Sequence, residues 1–417
     1  MSGTSLRTGA GRALPGPRDV MVKVPTAVLF VNIALAGNNA LVAAVLYRLT
    51  GSASNFALVL VSNFAIAAVV QLVAGYVVDR LGARRLAVLS EAAACAAIGL
   101  EAAVSLLDSP ALPLICGAAL VSVVQAFYRA AMFTLAPQLA GRERLAALNA
   151  KINAAFQAGT LLGTPAGTLL LYLEPVRGFC VLAVSFGAAA LILGTLPGRP
   201  APGTGSGAAR PRTGVLRELR AQRGLVAHIL LCSGDYVAVY LFTLILVPLV
   251  DDRFGGSTLT LAVVNSALPA GVMLSGLLPW RSQAAERTLR LVALSMAALV
   301  AAFLLLVCDI GVVATVGCVV AVGFAAGSSQ TLLMTALQLR SPAHVLGRVA
   351  SLRLFVASGL AAPTLAGASY LLKGGVGTAL AFCAGVEACY LTVLLVLSRE
   401  RLLGRRTLAA PPGDTAG

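Results

Sequence analysis

Long apolar runs separated by short polar interruptions set the pattern of this chain. The runs continue for about 20 residues, the length a helix needs to cross a bilayer; barrel strands would instead alternate over about 10. The pattern predicts twelve spans at about 25–48, 54–78, 86–107, 112–134, 146–172, 176–197, 225–249, 258–280, 289–308, 311–335, 347–371 and 376–398. Within lipid every backbone polar group must find its partner inside the segment, which helices achieve. Composition agrees: 59% of residues are hydrophobic and 11% charged, against about a quarter charged in a soluble domain. Mean hydropathy is +0.91. The expected fold class is an all-α membrane protein.

The runs divide into two sets of six. Residues 1–24, rich in Gly, Pro and Arg, read as a disordered tail with no signal-peptide pattern, and 25–197 as the first six-helix bundle. Residues 198–214 (GRPAPGTGSGAARPRTG) have the composition of a flexible linker. The basic, amphipathic VLRELRAQRG that follows suits the inner membrane face, so the linker region is taken as 198–223. The second bundle is 224–398, and 399–417 a basic tail. An internal repeat supports the division. Gln138-Leu139 recurs as Gln338-Leu339, and Gly159, Pro165 and Gly167 correspond to Gly359, Pro363 and Gly367.

The net charge of +15 is read as topological. Arg80, Arg84, Arg85, Arg142, Arg144, Arg281, Arg287, Arg290, Arg340, Arg348, the linker and both tails fall on one side; Arg48, Arg177, Arg253 and Lys373 fall on the other. Positive residues accumulate on the cytoplasmic side, so both termini are expected there and nucleic acid is not an expected partner. The eight cysteines form no Cys-x-x-Cys, and neither His228 nor His344 has neighbours at ligand spacing, so no metal is expected. There is no G-x-x-x-x-G-K-[ST] loop for ATP and no clustered His, Cys or paired carboxylates on one loop, so no cofactor and no enzyme activity are expected.

The stretch GYVVDRLGARR, residues 75–85, lies between the second and third spans and reads as a very short charged loop joining an antiparallel helical hairpin. Gly75, Asp79, Arg80, Gly82, Arg84 and Arg85 fit the pattern G-x-x-x-D-[RK]-x-G-[Rx]-[RK]-[RK], which resembles the corresponding loop of the major facilitator superfamily. The resemblance covers about residues 25–398. It implies two six-helix bundles that rock about a midplane cavity lined by the first, fourth, seventh and tenth spans. It also implies that Asp79 meets the N-terminus of the eleventh span, at LGRV (346–349), as a conformational latch. Gly159, Gly163 and Gly167 share one helix face suited to close packing, and with Pro165 they are similar to a fifth-helix motif of drug/proton antiporters, the proline displaced by one. Within the superfamily LYRLTGSASNFALVL (46–60), YRAAMFTLAPQLAGRERLAALNA (128–150), GGSTLTLAVVNSALPAGV (255–272) and QLRSPAHVLGRVASL (338–352) resemble the branch of enterobactin exporters and macrolide efflux proteins.

Polar residues inside the spans are the candidates for function, because a charged group at the bilayer centre is costly. Asp235, near the middle of the seventh span, is the first candidate for a proton or substrate site. Arg129, in the last third of the fourth span, is placed to bind an anionic substrate, to join the Asp79 charge network or to snorkel to the helix end. Asn32 and Asn38 give the first span a polar face, although relatives often read Gly-Asp where this chain has Gly37-Asn38. Gln125 and Gln330 complete the set; Glu91, Glu101 and Glu387, on peripheral spans, are expected to pair locally. The expected function is proton-coupled efflux of a small organic molecule (an antibiotic, siderophore or other natural product) across the cell membrane by a monomer, with protons as coupling ion. The alternatives are a metabolite importer or facilitator of the same fold, and a non-transporting membrane sensor.

Overall fold

The computed structural model describes residues 17–50, 69–71, 73–107, 110–170, 172–197, 223–278, 280, 285–342 and 345–399. The helices are α1 (Pro17–Thr50), α2 (Ala83–Val104), α3 (Ala111–Leu170), α4 (Pro175–Gly194), α5 (Arg223–Phe254), α6 (Thr258–Gly276), α7 (Ala285–Val307), α8 (Val312–Arg340), α9 (Leu346–Leu371) and α10 (Val376–Arg399). All ten are long and apolar enough to cross a membrane. Most of the predicted second span, the predicted linker from 198 to 222 and the predicted terminal tails lie outside the described residues.

Several predicted breaks are helical. α1 starts at Pro17, inside the stretch read as tail. Proline at the first helical position has its φ already set, and Asp19 complements the positive helix end; Val20 and Val24 are buried there and anchor the added turns. The charged motif is helical through residue 81 and again from Ala83. Its loop reduces to Gly82, at φ 83°, a conformation that suits glycine because a Cβ would crowd the backbone. The basic stretch 135–145, between the predicted fourth and fifth spans, is helical except at Gly141, at φ 67°. Gly141 divides the α3 run into a first limb, residues 111–140, and a second limb, residues 142–170. The predicted loop at 251–257 is helical as far as Phe254.

The two limbs of α3 place Gly159, Gly163 and Gly167 against α1. A Cβ on Gly159 would stand 2.7 Å from the Asn32 Cβ, one on Gly163 2.9 Å from the Ile33 Cα, and one on Gly167 2.7 Å from the Gly37 backbone. Absent side chains let the two backbones approach, and dispersion contacts along this seam hold the pair where lipid supplies no hydrophobic drive. Pro165 lies inside the same limb. The repeat-related positions in α9 behave differently. Gly359 has open space where a Cβ would go, and Gly367 meets only the Phe382 ring; Pro363 lies within the helix. The close approach in the second half is instead between α6 and α8, where a Cβ on Gly271 would stand 3.0 Å from the Gly323 Cα.

One apolar cluster gathers Val24, Leu46, Ile98, Phe179 and Phe186 of the first half and continues into Leu332, Leu337, Leu346 and Val349 of the second. A separate cluster, including Phe242, Leu299, Phe303 and Leu380, stays within the second half. The halves thus share a core at the end of the molecule that carries Gly82, Gly141 and Arg340, called the motif end below.

Candidate functional site

Between the halves lies a cavity of about 150 Å³. Its wall is built by α1 (Asn32, Leu35), the first limb of α3 (Gln125, Tyr128, Arg129, Phe133), the second limb (Asn149, Asn153, Phe156), α8 (Gln330, Met334) and α9 (Arg353, Leu354). The glycine seam puts Asn32 there by drawing α1 onto the second limb. Its Nδ2 donates to the Val28 carbonyl at 2.7 Å, which fixes the amide. Of the predicted site residues, Asn32, Gln125, Arg129 and Gln330 meet in this wall. Asn38 and Asp235 do not line it, and among the described residues α5 contributes nothing to the wall, contrary to the expected lining by the seventh span.

Polar contacts close the cavity at the motif end. Asn149 Nδ2 donates to Thr335 Oγ1 at 2.9 Å and to Gln338 Oε1 at 2.7 Å. Gln338 Nε2 donates to the Phe133 carbonyl at 2.9 Å, and Asn153 Nδ2 donates to Thr331 Oγ1 at 3.1 Å. Each bond joins the first half to the second. Farther out, Arg348 Nε donates to Asp79 Oδ2 at 3.0 Å. The helix carrying Asp79 crosses the start of α9 glycine to glycine: a Cβ on Gly75 would stand 2.7 Å from the Gly347 carbonyl carbon, and one on Gly347 2.8 Å from Asp79 Oδ1. Asp79 therefore reaches the first turn of α9, with the Arg348 side chain as its ionic partner. Arg129 takes no part in this network. Arg80 stacks on Tyr76, 4.6 Å from its ring centroid. Arg84 donates to the Gly194 carbonyl, tying α2 to the end of α4, and Arg85 is exposed.

The buried carboxyls fall into two arrangements. Glu91 accepts a hydrogen bond from Gln125 Nε2 at 3.2 Å. Glu101 is turned toward Asn38, although its oxygens reach no hydrogen-bonding geometry among the described residues. In the second half Asp235 and Glu387 lie within electrostatic reach of one another, with Ser329 beside Asp235. Both are buried, and none of their carboxyl oxygens has a hydrogen-bond partner among the described residues. Ser233 and Tyr390 share a hydrogen bond of 3.1 Å on the same two helices. Cys232 lies within electrostatic reach of both Asp235 and Arg353, between the carboxyl pair and the cavity wall.

Reading the sequence missed Arg353, Asn149, Asn153 and Gln338, and took Arg348 only as part of a helix start. Arg353 left a usable signal: a lone arginine in the apolar run SLRLFVASG, which by its cost alone marks a functional candidate. The amides left none, because a polar residue near a span end looks like any interfacial residue until its partner helix is known.

A bundle of membrane-spanning helices in two halves, closed at one end around a central polar cavity, defines a transporter architecture. The chain belongs to the Major Facilitator Superfamily, whose sequence profile matches residues 26–397. Its fold is similar to the human organic anion transporter MFSD10 (TETRAN), at TM-score 0.68 and 17% identity over 91% of this chain and 100% of that one. It is equally similar to a bacterial homologue of the iron transporter ferroportin in an outward-facing state, at TM-score 0.68 and 15% identity over 91% and 99% of the two chains. The transporter FucP in its outward conformation also matches, at TM-score 0.68 and 12% identity over 91% and 99%. No curated protein matches the chain significantly.

Proposed function

We propose that this protein is a secondary active transporter that exports a small organic molecule across the cell membrane in exchange for protons, by alternating access. The observation that supports this reading most is the central cavity, sealed at one end by side-chain bonds that all run between the two halves. Such bonds can break and re-form as the halves rock, leaving each half intact, which alternating access requires. With twelve spans and the basic side cytoplasmic, the motif end faces the cytoplasm. The closed contacts there then describe an outward-facing state, held in part by Asp79 and Arg348 as the latch.

The Asp235–Glu387 pair is the proton site in this reading. Two buried carboxyls within electrostatic reach repel when both are charged, so charging one favours a proton on the other. Water reaching the pair in only one of the two states would load or release that proton. Ser329 and Tyr390 supply hydroxyls beside it, and Cys232 bridges toward Arg353 in the cavity wall. Asp235 thus acts beside the substrate cavity and does not touch the substrate.

The test is accumulation in proteoliposomes driven by a proton gradient, beside counterflow without one. Asp235→Asn fixes the neutral form. It should abolish gradient-driven accumulation and leave counterflow largely intact. If Asp235→Asn concentrates substrate as the wild type does, the coupling role is wrong. Wild-type transport indifferent to an uncoupler would favour a facilitator of the same fold, and absence of any transport a sensor.

A further inference from the structure

We infer that the central cavity is an anion site, in which Arg129 and Arg353 together receive the acidic group of a flat organic anion; this rests on reading the cavity as the transport site. Both guanidiniums line the cavity and lie within electrostatic reach of each other. Arg353 is 8% exposed. Its Nε has no hydrogen-bond partner among the described residues, and its guanidinium stacks on Phe133, 5.8 Å from the ring centroid. Arg129 opens into the cavity from the facing half of the molecule.

Among the described residues the wall contains no carboxylate to balance these charges. Glu91, outside the wall, is engaged by Gln125, Asp79 pairs with Arg348 at the motif end, and Asp235 lies outside the wall, within electrostatic reach of Glu387. A buried guanidinium without a counter-ion is unfavourable, since removing a charge from water is costly unless it is paired, and the exposed Arg129 adds a second positive charge within reach of it. A carboxylate or sulfonate entering between them supplies the counter-ion and can accept bidentate hydrogen bonds from a guanidinium fork. Beside the amides the wall carries apolar and aromatic side chains, with Phe133, Phe156 and Met334 offering faces to a flat body. The site joins the two halves through the ligand, because Arg129 belongs to the first and Arg353 to the second. Binding an anion therefore favours the state in which both arginines face it.

The test uses full-length protein in lipid nanodiscs, with no gradient, and two probes of one shape: 1-naphthoate and its neutral amide, 1-naphthamide. The wild type should bind the acid about tenfold or more tightly than the amide. Arg353→Gln and Arg129→Gln should each remove that preference, and Arg353→Lys and Arg129→Lys should retain part of it. Arg129→Gln alters an exposed side chain and decides the matter if Arg353→Gln fails to fold. No measurable naphthoate binding, no preference for the acid, or a preference that survives Arg129→Gln overturns the anion site. A preference that is lost in the variants, in a protein that accumulates nothing under a proton gradient, supports the anion site and defeats only the transport reading.

Discussion

The two halves repeat one sequence plan and use it differently. In the first, Gly159, Gly163 and Gly167 press the second limb of α3 onto α1, and an amide faces each buried carboxyl: Gln125 at Glu91, Asn38 at Glu101. In the second, Gly359 stands in open space, and Asp235 and Glu387 lie within electrostatic reach of each other, their oxygens without a hydrogen-bond partner among the described residues. An amide can donate to a carboxyl whatever its charge, so the first half can hold its acids without exchanging protons. Two buried acids within electrostatic reach relieve their repulsion when at least one of them holds a proton. On the proposed proton role, the difference would give rigidity to one half and chemistry to the other.

Filling the glycine seam should give the largest effect. Gly163→Leu forces a side chain into the Ile33 backbone and Ala36, and overpacking of this kind costs about 1–3 kcal/mol or more. Thermal unfolding followed with a thiol-reactive dye should show a fall in midpoint. Gly359→Ala, in open space, should leave the midpoint unchanged or raise it slightly, since alanine favours a helix by about 1 kcal/mol over glycine. Equal losses at the two positions would break the comparison.

The carboxyls give the next effect. Glu387→Gln should greatly reduce accumulation driven by a proton gradient, whereas Glu91→Gln, which leaves Gln125 an oxygen to donate to, should keep it near the wild-type level. Proteoliposome uptake of the same substrate by the two variants checks this. A reversed order would move the proton site into the first half.

Asp79→Asn should give the smallest effect. The Asp79–Arg348 pair is half-buried at the motif end, with side-chain exposures of 14% and 33%, and solvent screening limits such a pair to about 1 kcal/mol. That corresponds to about a fivefold shift between closed and open motif ends. Accessibility of a cysteine placed at Ala154, beside Gly276, would report it: labelling from the motif end should rise severalfold in the variant. Unchanged labelling would reduce the contact to a packing feature.

Much of this was legible without coordinates. Continuous apolar runs, charge asymmetry and the 75–85 motif set the class and most helix limits, because bilayer thickness and backbone satisfaction leave a chain little choice. The glycine spacing in the second limb of α3 was also readable, since one helix face can be counted along a sequence. The outcome at its repeat was not: the same spacing in α9 meets open space, and nothing local to Gly359 announces what stands opposite. Breaks were misplaced for a related reason. Polar and basic stretches such as 135–145 look like loops, yet a helix leaving the membrane keeps its hydrogen bonds, and one glycine at positive φ makes the turn.

The sequence by itself determined that this is a helical membrane protein of two related halves, with a charged junction near residue 80 and a few costly polar groups inside the spans. Those properties follow from local composition meeting a slab of fixed thickness. Only the tertiary structure decided which polar groups meet. It left Asp235 outside the cavity within electrostatic reach of Glu387, brought Arg353 of α9 and Arg129 of α3 into one wall, and drew Asn149 and Gln338 together across the halves. Partners far apart in the chain are chosen by how helices rotate and cross, and helix rotation in lipid is set by packing against neighbours that no single span encodes.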